Sequence, residues 1–207
     1  MHGPLPRRGR SARHPVSGPT PLAIAADMAA RFERHGVRYV LGGSMASAVF
    51  GEPRSTLDIG FAADLSALTI EPWLADVRTE FGLDEAWART EVARRGSFQM
   101  MHRRELVRID VFVPPWTGIH EWKWRTRRRI QPLTSSPALD VTSPAEIVLQ
   151  KLCWYRAGGE VSERQWRDVI GVLKAQSDVI DRGELRTWAA TVRVDDLLRR
   201  AEAESNG

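Results

Sequence analysis

The sequence is poor in the features that mark several common protein classes. It has one cysteine, Cys153, among 207 residues, so no disulfide can form within the chain. No apolar run approaches the ~20 residues needed to cross a bilayer. The basic N-terminus lacks the apolar segment of a signal peptide. These absences exclude a disulfide-stapled secreted domain and predict a cytoplasmic protein without membrane segments.

Lysine is also scarce, because only three of the 30 basic residues are lysines. Arginine binds phosphate through two parallel hydrogen bonds, so the net charge of +4 is consistent with a polyanionic partner. The alternative explanation is a GC-rich genome that favours arginine codons. The densest basic run, residues 123–129, lies among Trp116, Trp122 and Trp124, which adds stacking surfaces to the cations. A solvated loop or an edge strand is the alternative interpretation of this run.

The residue pattern divides the chain into three parts. Residues 1–20 are rich in proline, glycine and arginine, which predicts a disordered basic arm. Residues 21–142 mix helical and strand patterns and form the predicted core. Residues 143–207 are helical throughout. The pattern therefore predicts an α+β protein: a small mixed or antiparallel sheet flanked by helices, with a C-terminal helical segment.

Apolar periodicity and local end signals predict the individual elements. Ser143, Pro144 and Glu146 form a capping box that starts a helix. The predicted helices cover residues 21–36, 45–50, 70–81, 143–157, 162–174 and 185–203. The predicted strands cover residues 37–41, 56–65, 97–101, 106–113 and 139–141, and those at 97–101 and 106–113 are expected to pair antiparallel.

A glycine turn followed by an acidic strand is the most informative pattern. In Gly42-Gly43-Ser44, two glycines let the backbone approach a triphosphate closely, and the amides at the start of the next helix can bind phosphate oxygens. Ser44 can add a hydroxyl donor, or it can be an ordinary helix N-cap. The following strand presents the Asp58 carboxylate to a magnesium ion bridging those phosphates.

A second acidic strand carries Asp110 between apolar neighbours. A partly buried carboxylate needs a cationic partner or a metal. Asp110 could lie beside Asp58 and act as metal ligand and general base toward an attacking hydroxyl. The alternative is a structural ion pair with Arg108 or Arg54.

These segments resemble the nucleotidyltransferase superfamily, in the branch of AbiEii/MenT-like toxins. That family's signature is Gly-Ser, a short helix, Asp-x-Asp on a strand, and a third carboxylate on a later strand. The resemblance covers roughly residues 22–200 and implies the nucleotidyltransferase fold, Mg²⁺ and a nucleoside triphosphate as substrate. The positions that match the signature are Gly43, Ser44, Asp58 and Asp110.

Two helical segments extend the resemblance. Residues 143–152 match the segment that carries the family's active-site lysine, which implies that Lys151 pairs with the triphosphate. Residues 164–168 match the segment of a later aspartate, which implies that Asp168 orients Lys151 or a base. The alternatives are a surface lysine whose charged end reaches water, and an ion pair between Asp168 and Arg164.

The sequence departs from the family at position 60, where glycine replaces the second aspartate of Asp-x-Asp. Positions 58 and 60 face the same side of a strand, so a metal ligand is missing there. Asp64 lies ~13 Å from position 60 at ~3.3 Å per residue, which is too far for a shared ion. Three accounts are open: reduced but real transfer activity, a degenerate binding-only relative, or a change that silences a toxic activity.

The resemblance also implies a biological role: a toxin that transfers a nucleoside monophosphate to the 3′ end of a tRNA and blocks translation. The basic run and the arginine-rich helices would hold the RNA, and a cognate antitoxin would control the toxin. Phosphate on Ser55 or Thr56 would place about −2 of charge beside Asp58 and repel the triphosphate. The alternatives are a catalytically degenerate nucleotide- or RNA-binding module and an enzyme that modifies a small molecule such as an antibiotic.

Overall fold

The computed structural model describes residues 19–51, 56–132, 134 and 136–205. The strands in chain order are β1 Tyr39–Gly42, β2 Asp58–Ala63, β3 Phe81–Gly82, β4 Ser97–His102, β5 Arg108–Phe112, β6 Arg128–Ile130 and β7 Leu139–Val141. The helices are α1 Pro21–Arg34, α2 Gly43–Phe50, α3 Ile70–Val77, α4 Glu85–Ala93, α5 Ile119–Thr126, α6 Pro144–Ala157, α7 Glu163–Ala175, α8 Arg182–Thr191 and α9 Asp195–Ser205.

The seven strands of the described residues form one mixed sheet in the order β3-β4-β5-β2-β1-β7-β6. β2 pairs antiparallel with β1 and parallel with β5, and β4 pairs antiparallel with β5 as its sequence pattern predicts. β1 and β7 are parallel. The two acidic strands are therefore direct neighbours at the centre of the sheet, and the predicted α+β class is confirmed.

The two faces of the sheet have different roles. On one face Phe61 of β2 contacts the ring of Phe32 on α1, which stacks on Trp73 of α3 with centroids 5.5 Å apart. These buried aromatic contacts anchor α1 and α3 to the core. Because side chains alternate along a strand, Asp58 and Gly60 lie on the opposite face. That face is the one covered only in part, by α2, α5 and α6.

Local signals account for several helix ends. The Thr20 hydroxyl accepts a hydrogen bond from the amide of Ala23 at the start of α1, and Gly36 takes a φ of +66° just beyond its end. The predicted cap at Ser143 is confirmed, since its hydroxyl accepts from the amide of Glu146. No helix in the described part of the chain is long and apolar enough to span a bilayer.

Several elements differ from the sequence prediction. The helix predicted over residues 70–81 ends at Val77, and β6 corresponds to the edge-strand alternative for the basic run. The helices α4 and α5 and the short strand β3 were not predicted. The segment 185–203, predicted as one helix, is two helices separated around Arg193, whose φ is +61°. The predicted arm at residues 1–20 lies, except for its last two residues, outside the described residues. The division of the chain between residues 142 and 143 stays a prediction.

Candidate active site

The glycine turn joins β1 to α2. Gly43 is the first residue of α2 and has a φ of +64°, the left-handed region that strains any residue with a Cβ. Its amide donates to Oε1 of Gln150 at 3.3 Å, so a side chain from α6 reaches into the turn. The N-cap of α2 is Gly42, so Ser44 is not an N-cap; its hydroxyl accepts a hydrogen bond from Arg164 at 3.4 Å.

The two aspartates converge on one face of the sheet. The parallel register places Asp58 opposite Arg108, and Gly60 opposite Asp110. The Arg108 guanidinium lies between the carboxylates, with Nη2 3.2 Å from Asp58 Oδ1 and Nε 3.5 Å from Asp110 Oδ2. The structural pair of Asp110 with Arg108 therefore exists, and the same arginine also holds Asp58. Arg54, the other partner considered for Asp110, lies outside the described residues.

The environment of Asp110 favours its protonated form. Burial raises the pKa of the Asp110 carboxyl, Arg108 opposes this shift, and the neighbouring Asp58 charge adds to it. Its Oδ1 atom is buried and accepts no hydrogen bond from any described residue. A cation bound beside this oxygen would give it the partner that it lacks among the described residues.

The turn and both aspartates line a single cavity of about 520 Å³. This volume is within the range of small-molecule sites. Its floor is the exposed face of β1, β2 and β5, and its walls come from α2, α5 and α6. The lining side chains with hydrogen-bonding groups are Ser44, Asp58, Ser97, Arg108, Asp110, Lys123, Gln150 and Trp154.

The carboxylates fit one magnesium ion better than two. Mg²⁺ commonly takes one or two carboxylates and completes its shell with water and substrate phosphates. Asp58 and Asp110 could supply those two ligands. Among the described residues no group of three or more His, Cys, Asp or Glu side chains comes together to hold a metal. Gly60, opposite Asp110, is where a third carboxylate would have to stand.

Lys151 and Asp168 contact each other but do not line this cavity. The Lys151 side chain is fully buried, and its Nζ lies 2.8 Å from Oδ2 of Asp168. The ring of Trp154, which does line the cavity, lies 5.4 Å from Nζ. Lys151 is therefore not a surface lysine, and in this conformation it cannot touch a bound triphosphate. Arg164, the alternative partner of Asp168, donates a hydrogen bond to the Ser44 hydroxyl at 3.4 Å.

The basic run at residues 123–129 is largely neutralised within the chain. The Arg127 guanidinium stacks on Trp124, with its Cζ atom 3.7 Å from the ring centroid. Trp122 is buried, and its ring packs against Trp188. Much of this run is α5, and residues 128–130 are the edge strand β6. The ion pairs are Lys123 with Glu146, Arg125 with Glu184, Arg127 with Asp140, and Arg129 with Glu33. The run is thus a weaker phosphate-binding surface than its sequence indicates.

Of the two candidate phosphorylation sites, the structure describes only Thr56. Ser55 lies outside the described residues. Thr56 is described, and its hydroxyl is 3.4 Å from the Asp58 amide, from which it accepts a weak hydrogen bond. A phosphate on Thr56 would therefore stand next to the backbone that carries Asp58.

Three solved structures are similar to this chain, and the first of them, with a TM-score above 0.5, shows its fold. An antigenic nucleotidyltransferase-like protein from Paracoccidioides brasiliensis aligns with a TM-score of 0.56 and 14% identity, over 92% of this chain and 95% of that one. The lincosamide antibiotic adenylyltransferase LnuA, bound to lincomycin, aligns with a TM-score of 0.49 and 13% identity over 73% and 94%. The antibiotic-resistance factor ANT(2'')-Ia aligns with a TM-score of 0.47 and 13% identity over 90% and 95%.

The chain has a nucleotidyltransferase-like fold. No protein-family model matches the sequence, and no curated protein is significantly similar to it. A fold hosts many activities, so the function has to be argued from the site itself.

Five polar lining residues were not assigned to the site from the sequence, and Ser97 of β4 is one of them. Gln150 and Trp154 both line the cavity. They are at positions i and i+4 of α6, which places them on one helix face, and this spacing could have identified them from the sequence. Arg108 was considered only as a partner of Asp110. Lys123 belongs to the basic run that is predicted to bind RNA, but it lies on the cavity wall.

Restoring the missing carboxylate should strengthen metal binding at this site. A Cβ at Gly60 would meet no atom within 4 Å, so the side chain of Gly60→Asp can enter the cavity beside Asp110. More ligand charge raises divalent-cation affinity, and we expect about tenfold tighter Mn²⁺ binding by titration calorimetry. Gly60→Asn is the matched control, with the same shape and no charge. Equal affinities for the Asp and Asn variants would contradict a cation site at this position.

Proposed function

We propose that the protein transfers a nucleoside monophosphate from a nucleoside triphosphate to an acceptor hydroxyl and releases pyrophosphate. The observation that supports this is the convergence of Asp58 and Asp110 beside the glycine turn, in one cavity of the nucleotidyltransferase fold. Two carboxylates next to backbone amides are the arrangement that a metal–triphosphate substrate requires.

Each residue has a role in this reaction. The start of α2 at Gly43 and Ser44 binds phosphate oxygens once Gln150 moves off the Gly43 amide. Asp110 accepts the proton of the acceptor hydroxyl. The acceptor oxygen bonds the α-phosphorus while the bond from that phosphorus to the bridging oxygen breaks, and pyrophosphate leaves. Magnesium held by Asp58 and Asp110 would neutralise the charge that develops on the phosphates.

We further propose that the acceptor is the 3′ end of a tRNA and that the protein is the toxin of a toxin–antitoxin pair in the cytoplasm. The basic surface that supports an RNA acceptor is on the C-terminal helices. Arg164 reaches the turn at Ser44, and a second cavity of about 460 Å³ between α6, α7 and α9 is lined by Arg167, Lys174 and Arg200. None of these four cations forms an ion pair with a carboxylate among the described residues. Three glutamates, Glu160, Glu163 and Glu204, line the same cavity.

The transfer reaction can be tested with labelled nucleoside triphosphates. Each triphosphate is incubated with Mg²⁺ and total tRNA, and label on the RNA is measured after separation on a gel. We expect label at the 3′ terminus, which periodate oxidation of that terminus should prevent. Absence of transfer to RNA, protein and hydroxyl-bearing small molecules, from this chain and from Gly60→Asp alike, would remove the enzyme proposal and leave nucleotide binding alone.

The RNA surface makes a separate prediction about salt dependence. If Arg167, Lys174 and Arg200 contact phosphates, changing each to glutamine should weaken tRNA binding. Each change should also lower the slope of log affinity against log salt by about 0.7. Arg125→Gln is the matched control, since Arg125 belongs to the basic run but pairs with Glu184 at 2.6 Å. Fluorescence anisotropy with labelled tRNA measures both quantities. Slopes that fall for Arg125→Gln and not for the α7 and α9 variants would place the RNA on the run instead.

An antitoxin could control the transfer activity through the residues that precede β2. We propose that a kinase-like antitoxin phosphorylates Ser55 or Thr56, next to Asp58, because about −2 of added charge would repel the triphosphate. Intact-mass analysis after co-expression with the candidate antitoxin tests this. An unmodified but inhibited protein would point to steric inhibition.

One observation favours a small hydroxyl compound as the alternative acceptor. The tryptophan-bearing run is neutralised by its own ion pairs, and the cavity is the size of a small-molecule site. Transfer to an added hydroxyl compound in the absence of RNA would support this acceptor class.

A further inference from the structure

A buried lysine stands on the wall of the candidate active site. Lys123 of α5 is only 6% exposed, yet it lines the cavity together with Asp58 and Asp110. Lysine is rarely buried unless it is paired, because removing its charge from water is costly. Its position therefore requires a partner that holds it there.

The partner is a carboxylate on the side of Lys123 away from the cavity. Glu146 of α6 lies with Oε1 2.5 Å from the Lys123 Nζ, and the Thr142 hydroxyl donates to its other oxygen at 2.5 Å. Thr142 and Glu146 are buried, and neither lines the cavity. The ion pair is thus oriented with its positive end at the cavity wall.

The neighbouring histidine does not add to this charge. Burial lowers the pKa of His120, and the nearby Lys123 lowers it further, although Glu146 partly opposes the shift. The imidazole is therefore neutral near pH 7. Its ring packs against Phe112 at 5.8 Å, and Phe112 lines the cavity. This contact shows that α5 covers the Phe112 end of the cavity, two residues along β5 from Asp110.

We propose that Lys123 is an anion-binding residue of the cavity, whose ammonium group contacts a phosphate oxygen of the bound nucleoside triphosphate. This rests on the proposed function. The chain has two other lysines, of which Lys151 does not reach the cavity and Lys174 is exposed on α7. Among the described residues that line the cavity, Arg108 and Lys123 are the cations. Arg108 is engaged by two carboxylates of the cavity itself, whereas the partner of Lys123, Glu146, lies outside the lining.

Lysine footprinting on the unmodified protein tests this without any substitution. The chain is acylated with and without ATP, or with tripolyphosphate as a probe that lacks base and sugar, and peptides are quantified by mass spectrometry. We expect either ligand to slow acylation of Lys123 severalfold, and by a larger factor than acylation of Lys174, which lies outside this cavity. Ligand binding with no protection of Lys123 would overturn the proposal and leave the proposed function standing. No binding of either ligand would overturn both.

Substitution provides the second test. Lys123→Met alone leaves Glu146 buried without its cation and risks misfolding, so it is paired with a Lys123→Met/Glu146→Met double variant that removes both charges. We expect the double variant to bind tripolyphosphate about tenfold to a hundredfold more weakly, the usual loss for a charge-assisted hydrogen bond. Arg125→Gln, on the same helix and outside the cavity lining, should bind as the unmodified chain does. A folded double variant with unchanged affinity would assign Lys123 a structural role only.

Discussion

Replacing Asp110 with asparagine should reduce nucleotidyl transfer by about a thousandfold, the midpoint of the range for loss of a general base. The amide keeps the shape of the side chain but can neither accept the hydroxyl proton nor hold a cation by charge. Initial rates with a labelled nucleoside triphosphate measure the loss.

Asp64→Asn is the matched control for this substitution. Asp64 directly follows β2, but its carboxylate is held by Arg38 at 2.9 Å and Arg95 at 3.0 Å, and it does not line the cavity. This engagement, besides its distance along the strand, excludes it as a replacement ligand for position 60. An Asp110→Asn variant that transfers as well as Asp64→Asn would show that the reaction does not depend on Asp110.

Asp110→Asn, although expected to lower the transfer rate, should make the folded protein more stable at neutral pH. Because the folded-state pKa of Asp110 is raised, the folded protein holds this proton more tightly than the unfolded chain does. Its ionisation therefore disfavours folding above the raised pKa, and this penalty disappears as the pH falls below the unfolded value of about 3.9. We expect Asp110→Asn to melt at a higher temperature than the unmodified protein at pH 7, with the difference shrinking toward pH 4. A residue retained at a cost in stability is typical of a functional site.

The sequence was most informative where local chemistry decides structure. The paired strands at Asp58 and Asp110 follow from short apolar runs, and the start of α6 follows from the cap at Ser143. The identity of the site came from the resemblance, since spacing alone cannot show that two strands are adjacent. Their adjacency depends on the crossover between β2 and β5, which is a tertiary feature.

Other features could not be predicted because their causes are not local. The break between α8 and α9 occurs at an arginine with positive φ, where neither glycine nor proline marks the turn. Helix α5 begins after Gly118 without a side-chain cap, and its tryptophans and cations show no clear polar face. The inward position of Lys123 depends on Glu146 of another helix. The sequence shows Lys123 only as one of several consecutive basic residues, so it cannot show that this lysine is buried while its neighbours are more exposed.

Lys151 tests how far the family resemblance extends to individual side chains. Lys151→Met should lower the free energy of unfolding by about 3–5 kcal/mol, the usual effect of removing one partner from a buried ion pair. The reason is that Asp168, with a side chain only 10% exposed, loses the ammonium 2.8 Å away. Urea unfolding measures the change, and Lys174→Met on the exposed surface of α7 is the control.

A double variant separates a structural role for Lys151 from a catalytic one. Lys151→Met/Asp168→Leu removes both charges, so most of the lost stability should return, since apolar replacement of a buried pair is often neutral. If this stable variant still transfers nucleotides, Lys151 has a structural role in the core, and the phosphate-binding cation is another residue of the cavity wall. If it is stable but inactive, Lys151 must leave Asp168 during the reaction. Displacement of Trp154, which lines the cavity and has its ring 5.4 Å from the Lys151 Nζ, would then be part of substrate binding.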